Sequence, residues 1–498
     1  MIYKFKTKPY KHQVAALRRL LKLQFGGALL MDPRTGKTKV CIDFASILYQ
    51  ADKLSRVLVV CPVSVIDVWI DEIKMHCPAK YRITIWDKEG RKAVALPRYG
   101  TEYLDFVIIN YDAFSTPGEI IGKLPDGSPK RSKKNGGRFD VVRKLKAWQP
   151  NLIILDESHR IKSPSAKKTM AVQRLGKVAE YKILSTGTAV TKKKRVFDLY
   201  SQWKFMKPDS PLIAEHTSLS FKKKYGVWID KNGYPQWLGE RNQKTLHRLV
   251  HADSFAVTRD ECFDLPANFP PQIIHVPLEE SRKVYIDMAE EMIAKIKTGE
   301  ITEASIKLVL NLRLCQITSG IARTAPSEKY PKGRLVRIGQ EKLRILDDLF
   351  EDWFEQEEKL VVCARFRADL ASISKLAREH KVVPQLIYGG QKRRDRTKNI
   401  ETFRNRSGPA VMIMNPQAGA LGIDLRTAST MIWYSLTSSY VDYTQAKDRI
   451  ALSGKANRFV YLHCTGTYDE TQYEVLQGDD MAVKEIMASP EILLRGFK

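Results

Sequence analysis

The sequence predicts an α/β protein: two parallel sheets, each covered by helices, with a helical insertion between them. Three observations carry this. Short aliphatic runs alternate with helix-forming stretches, and they fall into two sets. Ala28–Met31, Val57–Cys61, Phe106–Ile109, Leu152–Leu155 and Lys182–Leu184 form the first. Leu360–Cys363, Gln385–Ile387, Val411–Met414, Met431–Tyr434 and Phe459–Leu462 form the second. A parallel strand buried on both faces reads as such a run, and its alternation with helices implies crossovers over a sheet. Second, two adjacent acids, Asp156 and Glu157, follow the run Asn151–Leu155 directly. Third, Gly36, Lys37 and Thr38 stand between a short strand and a helix-forming stretch.

In chain order, Gly27–Met31 reads as a strand, Asp32–Thr38 as a loop and Lys39–Gln50 as a helix. Gly36 lets the backbone wrap a phosphate, Lys37 reaches the β/γ-phosphates, and Thr38 offers a hydroxyl to Mg²⁺. The helix N-terminus adds its dipole. The full phosphate-loop pattern has Gly where this chain has Met31. Asp156 and Glu157 stand at the carboxyl end of their strand, in the crevice where open α/β sheets bind ligands. Asp156 suits Mg²⁺ held through its water shell, and Glu157 suits positioning or deprotonating an attacking water.

The stretch from Thr116 to Gly137 is rich in Gly and Pro and carries the basic cluster Lys130–Lys134. Such a composition builds no core, so Lys130–Arg138 is expected to be mobile until it meets DNA or a partner. From Arg195 to about Lys329 helix formers dominate, with amphipathic helices expected at Ser281–Lys297 and Glu303–Gln316. Leu265–Pro271, with its paired prolines, reads as a crossing segment. The expected division is 1–194 for the first lobe, 195–329 for the insertion and interlobe linker, 330–468 for the second lobe, and 469–498 for a helical tail.

Composition narrows the function. The 498 residues include 43% hydrophobic, enough for several cores. No apolar run reaches membrane-spanning length, and the N-terminus lacks an apolar signal core. The seven cysteines show no C-x-x-C pair, which suits small core residues of a reducing compartment. Against 56 acidic residues stand 83 basic ones, a net charge of +27. An excess this large points to a polyanionic partner, nucleic acid first.

These residues together resemble the SWI/SNF-type double-stranded-DNA translocases of helicase superfamily 2, in a compact phage- or bacterial-like form, over about Pro9 to Gly478. Pro9–Gln13 is similar to the adenine-reading segment, with Gln13 reading the base. Asp32–Thr38 matches the phosphate loop, so the resemblance assigns Arg34, Thr35, Gly36, Lys37 and Thr38 to the nucleotide. Val59–Pro62 with Ser64, Trp69 and Glu72 resembles the motif gripping one DNA strand, and Asn110–Tyr111 a further strand contact. Asp156–His159 fits motif II, and Leu184–Thr188 fits motif III, with Thr188 toward DNA. Phe221–Gly226 and Arg259–Pro266 resemble the link between lobes. In the second half, Tyr388, Gly389 and Gly390 with Arg396 and Phe403 match the segment after motif IV. Asn415–Leu425 matches motif V, placing Gln417, Ala418 and Gly419 on DNA and Gly422 and Asp424 on the nucleotide. Gln445–Arg449 matches motif VI.

The resemblance implies two RecA-like lobes with one ATP and Mg²⁺ between them. Lys37, Asp156, Glu157, Gln445 and Arg449 are then catalytic, and the enzyme is a DNA-dependent ATPase moving on double-stranded or branched DNA. It implies a cytoplasmic, monomeric or weakly associating protein of recombination, replication or repair. His159 is expected to couple motifs by a hydrogen bond. Two departures stand out. Ala189, Val190 and Thr191 replace the usual continuation of motif III. Leu452 replaces a second motif VI arginine, whose role as a finger is worth ~10³-fold or more. That substitution raises the alternative of a DNA-binding module that binds ATP and hydrolyses it slowly.

Overall fold

The computed structural model describes residues 3–86, 94–98, 100–118, 120–123, 128–132, 137–187, 196–231, 234–263, 268–297, 303–324, 333–419, 423–451 and 454–477. The chain forms two compact units, Met1–Asp264 and Leu265–Lys498.

The first unit is built on a seven-stranded sheet. Its order is Ser254–Val257, Gly26–Met31, Tyr181–Thr186, Leu152–Asp156, Arg56–Cys61, Leu104–Asn110, Tyr81–Ile85. Every pairing is parallel. Successive side chains of a strand face opposite sides, and both sides are dry. Leu152 and Ile154 join a core covered by the helices Lys11–Leu23, Lys37–Gln50 and Ile66–His76. Ile153 and Leu155 join the opposite core, covered by Gly137–Trp148, Lys167–Gly176 and Asp198–Met206. Each such aliphatic side chain contributes about 1.5–3 kcal/mol on burial.

The second unit repeats the plan with six parallel strands, ordered Gln272–Val276, Arg458–Cys464, Thr430–Trp433, Lys359–Cys363, Ala410–Met414, Gln385–Ile387. Leu360 and Val362 face one core, Val361 and Cys363 the other. Its interior holds a carboxyl group. Asp369, with no exposed surface, accepts a bond from Ser435 Oγ at 3.1 Å, and Ser435 Oγ accepts the Arg365 N–H at 2.8 Å. Burial pushes the Asp369 carboxyl up to about 7.

All ten anticipated strands are present. Within the two large sheets three strands were not anticipated, Tyr81–Ile85, Ser254–Val257 and Gln272–Val276, and neither were the small two-stranded sheets Ile120–Lys123 with Pro129–Arg131, Gly226–Lys231 with Tyr234–Glu240, and Ile321–Arg323 with Leu335–Arg337. The three in the large sheets lie at sheet edges. The stretch 195–329, expected to stand apart, is shared between the units. Trp203 and Leu199 of Asp198–Met206 are buried in the first core, and Ser254–Val257 extends the first sheet. The helices Arg282–Lys297 and Glu303–Thr318, close to their expected bounds, supply Tyr285, Ala289, Leu310 and Leu314 to the second core. The two helices pack against each other as well as joining this core.

Of the basic stretch Lys130–Arg138, expected to be mobile, Lys130 and Arg131 lie in a strand, Pro129–Arg131, paired antiparallel with Ile120–Lys123. Gly137 and Arg138 open a helix. Positions 133–136 lie outside the described residues. The anticipated tail begins as the helix Tyr468–Gln477, and its remainder also lies outside them. No described helix is long and apolar enough to cross a membrane.

Candidate nucleotide site

The phosphate loop leaves the strand Gly26–Met31 and enters the helix Lys37–Gln50 through Gly36, whose φ is +82°. A β-carbon at Gly36 would lie 2.0 Å from Gln13 Nε2. Glycine adopts this left-handed conformation without strain, and any side chain here would have to displace Gln13. Arg34 is also left-handed, with φ +69°. Lys37 Nζ donates to the carbonyls of Met31 at 2.8 Å and Asp32 at 3.0 Å. Thr38 lies in the first helical turn.

The loop is tied on three sides. Gln13 is buried; its Oε1 accepts the Tyr10 N–H at 2.9 Å, and its Nε2 donates to the Thr35 carbonyl at 3.2 Å. His12 Nε2 lies 2.8 Å from the same carbonyl. Asp32 Oδ2 accepts the Arg259 N–H at 2.9 Å. Phe263 meets the rings of Tyr10 and His12 edge-on. Gly187 lies so close that a β-carbon there would stand 2.7 Å from Pro33 Cδ.

The acidic pair stands at the carboxyl end of Leu152–Asp156. Asp156 Oδ2 accepts from Trp69 Nε1 at 3.0 Å. Its Oδ1 accepts from Ser185 Oγ at 3.2 Å and from the Glu157 N–H at 3.1 Å. Its carbonyl accepts from the Tyr111 hydroxyl at 2.8 Å. Burial, and then the adjacent Glu157 carboxylate, pushes the Asp156 carboxyl up to about 6. Glu157 has φ +52°, a conformation that costs a non-glycine residue about 1–2 kcal/mol and turns its side chain out of the strand direction. Its Oε2 accepts from Thr186 Oγ1 at 3.4 Å. His159 Nδ1 lies 3.3 Å from both Thr186 Oγ1 and Glu157 Oε2. His159 therefore joins motif II to the end of the neighbouring strand, the coupling role expected of it.

Several residues expected on the DNA track have other surroundings in this structure. Asn110 is buried and caps the turn Tyr111–Phe114 by accepting the Ala113 N–H. Tyr111 is 1% exposed and spent on Asp156. Pro62 is buried at the start of the turn Val63–Val65, which contains Ser64. Thr188 lies outside the described residues.

In the second unit, Gly389 and Gly390 are exposed, and the Gly389 carbonyl accepts from Arg367 at 2.6 Å. Pro416–Gly419 forms a short helix carrying exposed Gln417. The Ala418 carbonyl accepts from Arg396. Asp424 pairs with Arg426 at 2.8 Å. Gln445 lies in the last turn of the helix Tyr440–Lys447 and Arg449 in the turn that follows it, and both are buried. Arg449 donates to the carbonyls of Gln445 at 2.8 Å and Ile423 at 3.3 Å. Gly422 and Leu452 lie outside the described residues.

Trp69, Ser185 and Tyr111 as partners of Asp156, and His12 and Arg259 as ties on the loop, were not foreseen. Only the parallel register carries the signal for Ser185, which stands directly opposite Asp156.

A glycine-capped phosphate loop and an acidic pair, both at carboxyl ends of one parallel sheet, have the form of a P-loop nucleotide site, and a second parallel sheet repeats the RecA-like plan. The SNF2-related domain matches residues 11–319, and the helicase conserved C-terminal domain matches 341–454. The chain belongs to the SNF2-related family of superfamily 2 helicases.

Among similar proteins, a probable chromatin-remodeling complex ATPase chain of Oryza sativa is 23% identical, covering 92% of this chain and 39% of its own length. An uncharacterised ATP-dependent helicase of Mycoplasma genitalium is 22% identical over 90% of this chain and 38% of its own. The DNA repair and recombination protein RAD54-like of Danio rerio is 21% identical over 91% and 62%. The chain thus spans about two-fifths of the first two relatives. The Sulfolobus solfataricus SWI2/SNF2 ATPase core, solved in complex with dsDNA, is 22% identical with a TM-score of 0.42, covering 100% of this chain and 96% of that one.

Proposed function

We propose that this chain couples Mg²⁺-dependent ATP hydrolysis to movement along the phosphate backbone of double-stranded or branched DNA, in recombination, replication or repair. One observation carries the reading: Asp156 and Glu157 accept from Ser185 and Thr186 at the end of the adjacent strand, and His159 of the following turn lies against both Glu157 and Thr186. A change at the acidic pair is therefore transmitted directly into motif III.

The residues fit the groups they would hold. The cradle at Gly36 admits no side chain without displacing Gln13, which suits a phosphate lying against the backbone, and Lys37 supplies the charge. Thr38 and Asp156 offer oxygen donors, the set a hard divalent cation takes. Bound Mg²⁺ would neutralise charge on the phosphates. Glu157 orders and deprotonates the water. Gln13 reads the base, Gln445 and Arg449 respond to the γ-phosphate, and Arg449 carries the transition-state charge.

For the substrate, the support is the +27 charge and the name of the zebrafish relative. Contacts to phosphates make binding blind to sequence and steeply dependent on salt. The test is steady-state ATP hydrolysis with single-stranded, duplex, forked and four-way DNA. Stimulation by duplex or branched DNA is expected, with duplex affinity falling steeply with rising salt. ATP hydrolysis indifferent to every DNA overturns the proposal.

A further inference from the structure

We propose that the groove between the helices Gly137–Trp148 and Lys167–Gly176 is a docking site for an acidic, amphipathic peptide segment of a protein partner. The two helices bury Val141, Leu145, Ala171 and Leu175 in the core of the first unit. Their other faces frame a cavity of about 540 Å³. Its rim carries five cations: Arg138, Arg143, Lys146, Lys167 and Arg174. Among the described residues, the one carboxylate paired with any of them is Asp140, which lies 2.8 Å from Arg143.

The floor is apolar. Phe139 and Val142 are half-buried, and Met170 is 41% exposed. The Arg138 guanidinium stacks 4.4 Å over the Phe139 ring. On each helix these residues recur at spacings of three, four or seven or eight, which places them on one face. This face is separate from the acidic pair and the phosphate loop.

The chemistry selects the occupant. Phosphodiesters need cations and gain nothing from an apolar floor, so duplex DNA would leave Phe139, Val142 and Met170 unused. An amphipathic helix with acidic flanks uses both: apolar side chains at i, i+3 or i+4, and i+7 fill the cavity, and carboxylates meet the rim. The central apolar contact then supplies most of the affinity and the charges supply orientation.

The test uses the full chain and a dye-labelled synthetic peptide with Leu and Phe at those spacings and Asp and Glu elsewhere, read by fluorescence anisotropy. A control peptide keeps the acids and replaces the apolar residues with Ser. Two variants are compared, Arg143→Glu/Arg174→Glu and Met170→Asp. Both change exposed or rim positions, and circular dichroism and DNA-free ATP hydrolysis confirm an intact fold. Peptide binding is expected to weaken at least tenfold in each variant, a loss of about 1.4 kcal/mol, and in the control peptide. Duplex-DNA affinity is expected to be unchanged in Met170→Asp. The proposal is overturned if the control peptide binds as well as the apolar one, or if both variants bind like the wild type. It is equally overturned if only charge reversal matters and weakens duplex DNA and peptide alike, which would make the groove a nucleic-acid surface.

Discussion

Replacing Asp369 with Asn should change how the stability of the second unit depends on pH. The Asp369 carboxyl is fully buried, with Ser435 as its hydroxyl donor, and burial raises it to about 7. In the unfolded chain an aspartate ionises near ~3.9. Between these values the folded state keeps the proton and the unfolded state has lost it. Stability contributed by the neutral carboxyl is therefore complete below about pH 4 and lost as pH rises toward 7. Each tenfold difference in proton affinity between the two states is worth about 1.4 kcal/mol, so the whole effect is at most about 4 kcal/mol.

The Asn variant has no proton to lose, so its stability should be nearly flat over that range. Its carbonyl oxygen can still accept from Ser435, but its NH2 group replaces Asp369 Oδ1, a buried atom with no hydrogen-bond partner among the described residues, which costs about 1–3 kcal/mol at every pH. The variant should be the less stable protein at pH 5 and approach or pass the wild type at pH 8. Urea titrations from pH 5 to 8, read by pulsed hydrogen exchange across Lys359–Leu376, measure this unit alone. Parallel curves for the two proteins would refute the reasoning, because the carboxyl would then ionise alike in both states.

Glu157→Gln should keep ATP affinity within a few-fold and lower turnover by ~10² or more, measured by nucleotide binding beside single-turnover hydrolysis. A wild-type rate would remove Glu157 from its assigned role. Gly36→Ala should lower ATP affinity at least tenfold, since its φ of +82° costs Ala about 1–2 kcal/mol and its methyl collides with Gln13. In a double-mutant binding cycle with Gln13→Ala, which lowers affinity on its own, the coupling between the two changes should report the collision part. Arg449→Ala should lower kcat by at least ~100-fold in saturating DNA, roughly 2.7 kcal/mol of barrier, with little change in ATP affinity. Normal hydrolysis by that variant would mean another residue serves as the finger.

What could be read from the sequence follows from burial on two faces. Leu152–Leu155 and Leu360–Cys363 are covered above and below, so every position is apolar and the strand declares itself. Tyr81–Ile85 and Gln272–Val276 lie at sheet edges with partly exposed positions, and their Arg82, Thr84 and His275 hid them. The short strand Ser254–Val257 was hidden for the same reason.

The site divides similarly. Gly36, Lys37, Thr38, Asp156 and Glu157 act through local spacing and were recognisable as a pattern. Trp69, Tyr111 and Ser185 reach Asp156 from other elements, far away in the chain, and no spacing encodes that meeting. Sequence placed Asn110 and Tyr111 by family position, whereas burial shows what their side chains hold here.

The strand Ser254–Val257, which closes the first sheet beside Gly26–Met31, and Arg259, which holds Asp32, also set a schedule. The phosphate loop is made before its last clamp, which comes from residues more than two hundred positions later. At ordinary elongation rates of about 5–20 residues per second, the ribosome takes roughly ten to forty-five seconds to cover that distance. During that interval the strand Gly26–Met31, next to last in the finished sheet, has an unpaired edge, open to pairing with other nascent chains. ATP cannot rescue such an intermediate, because the loop it would stabilise is not yet held. The +27 charge works in the chain's favour over this window, since like-charged nascent chains repel one another before their edges can meet.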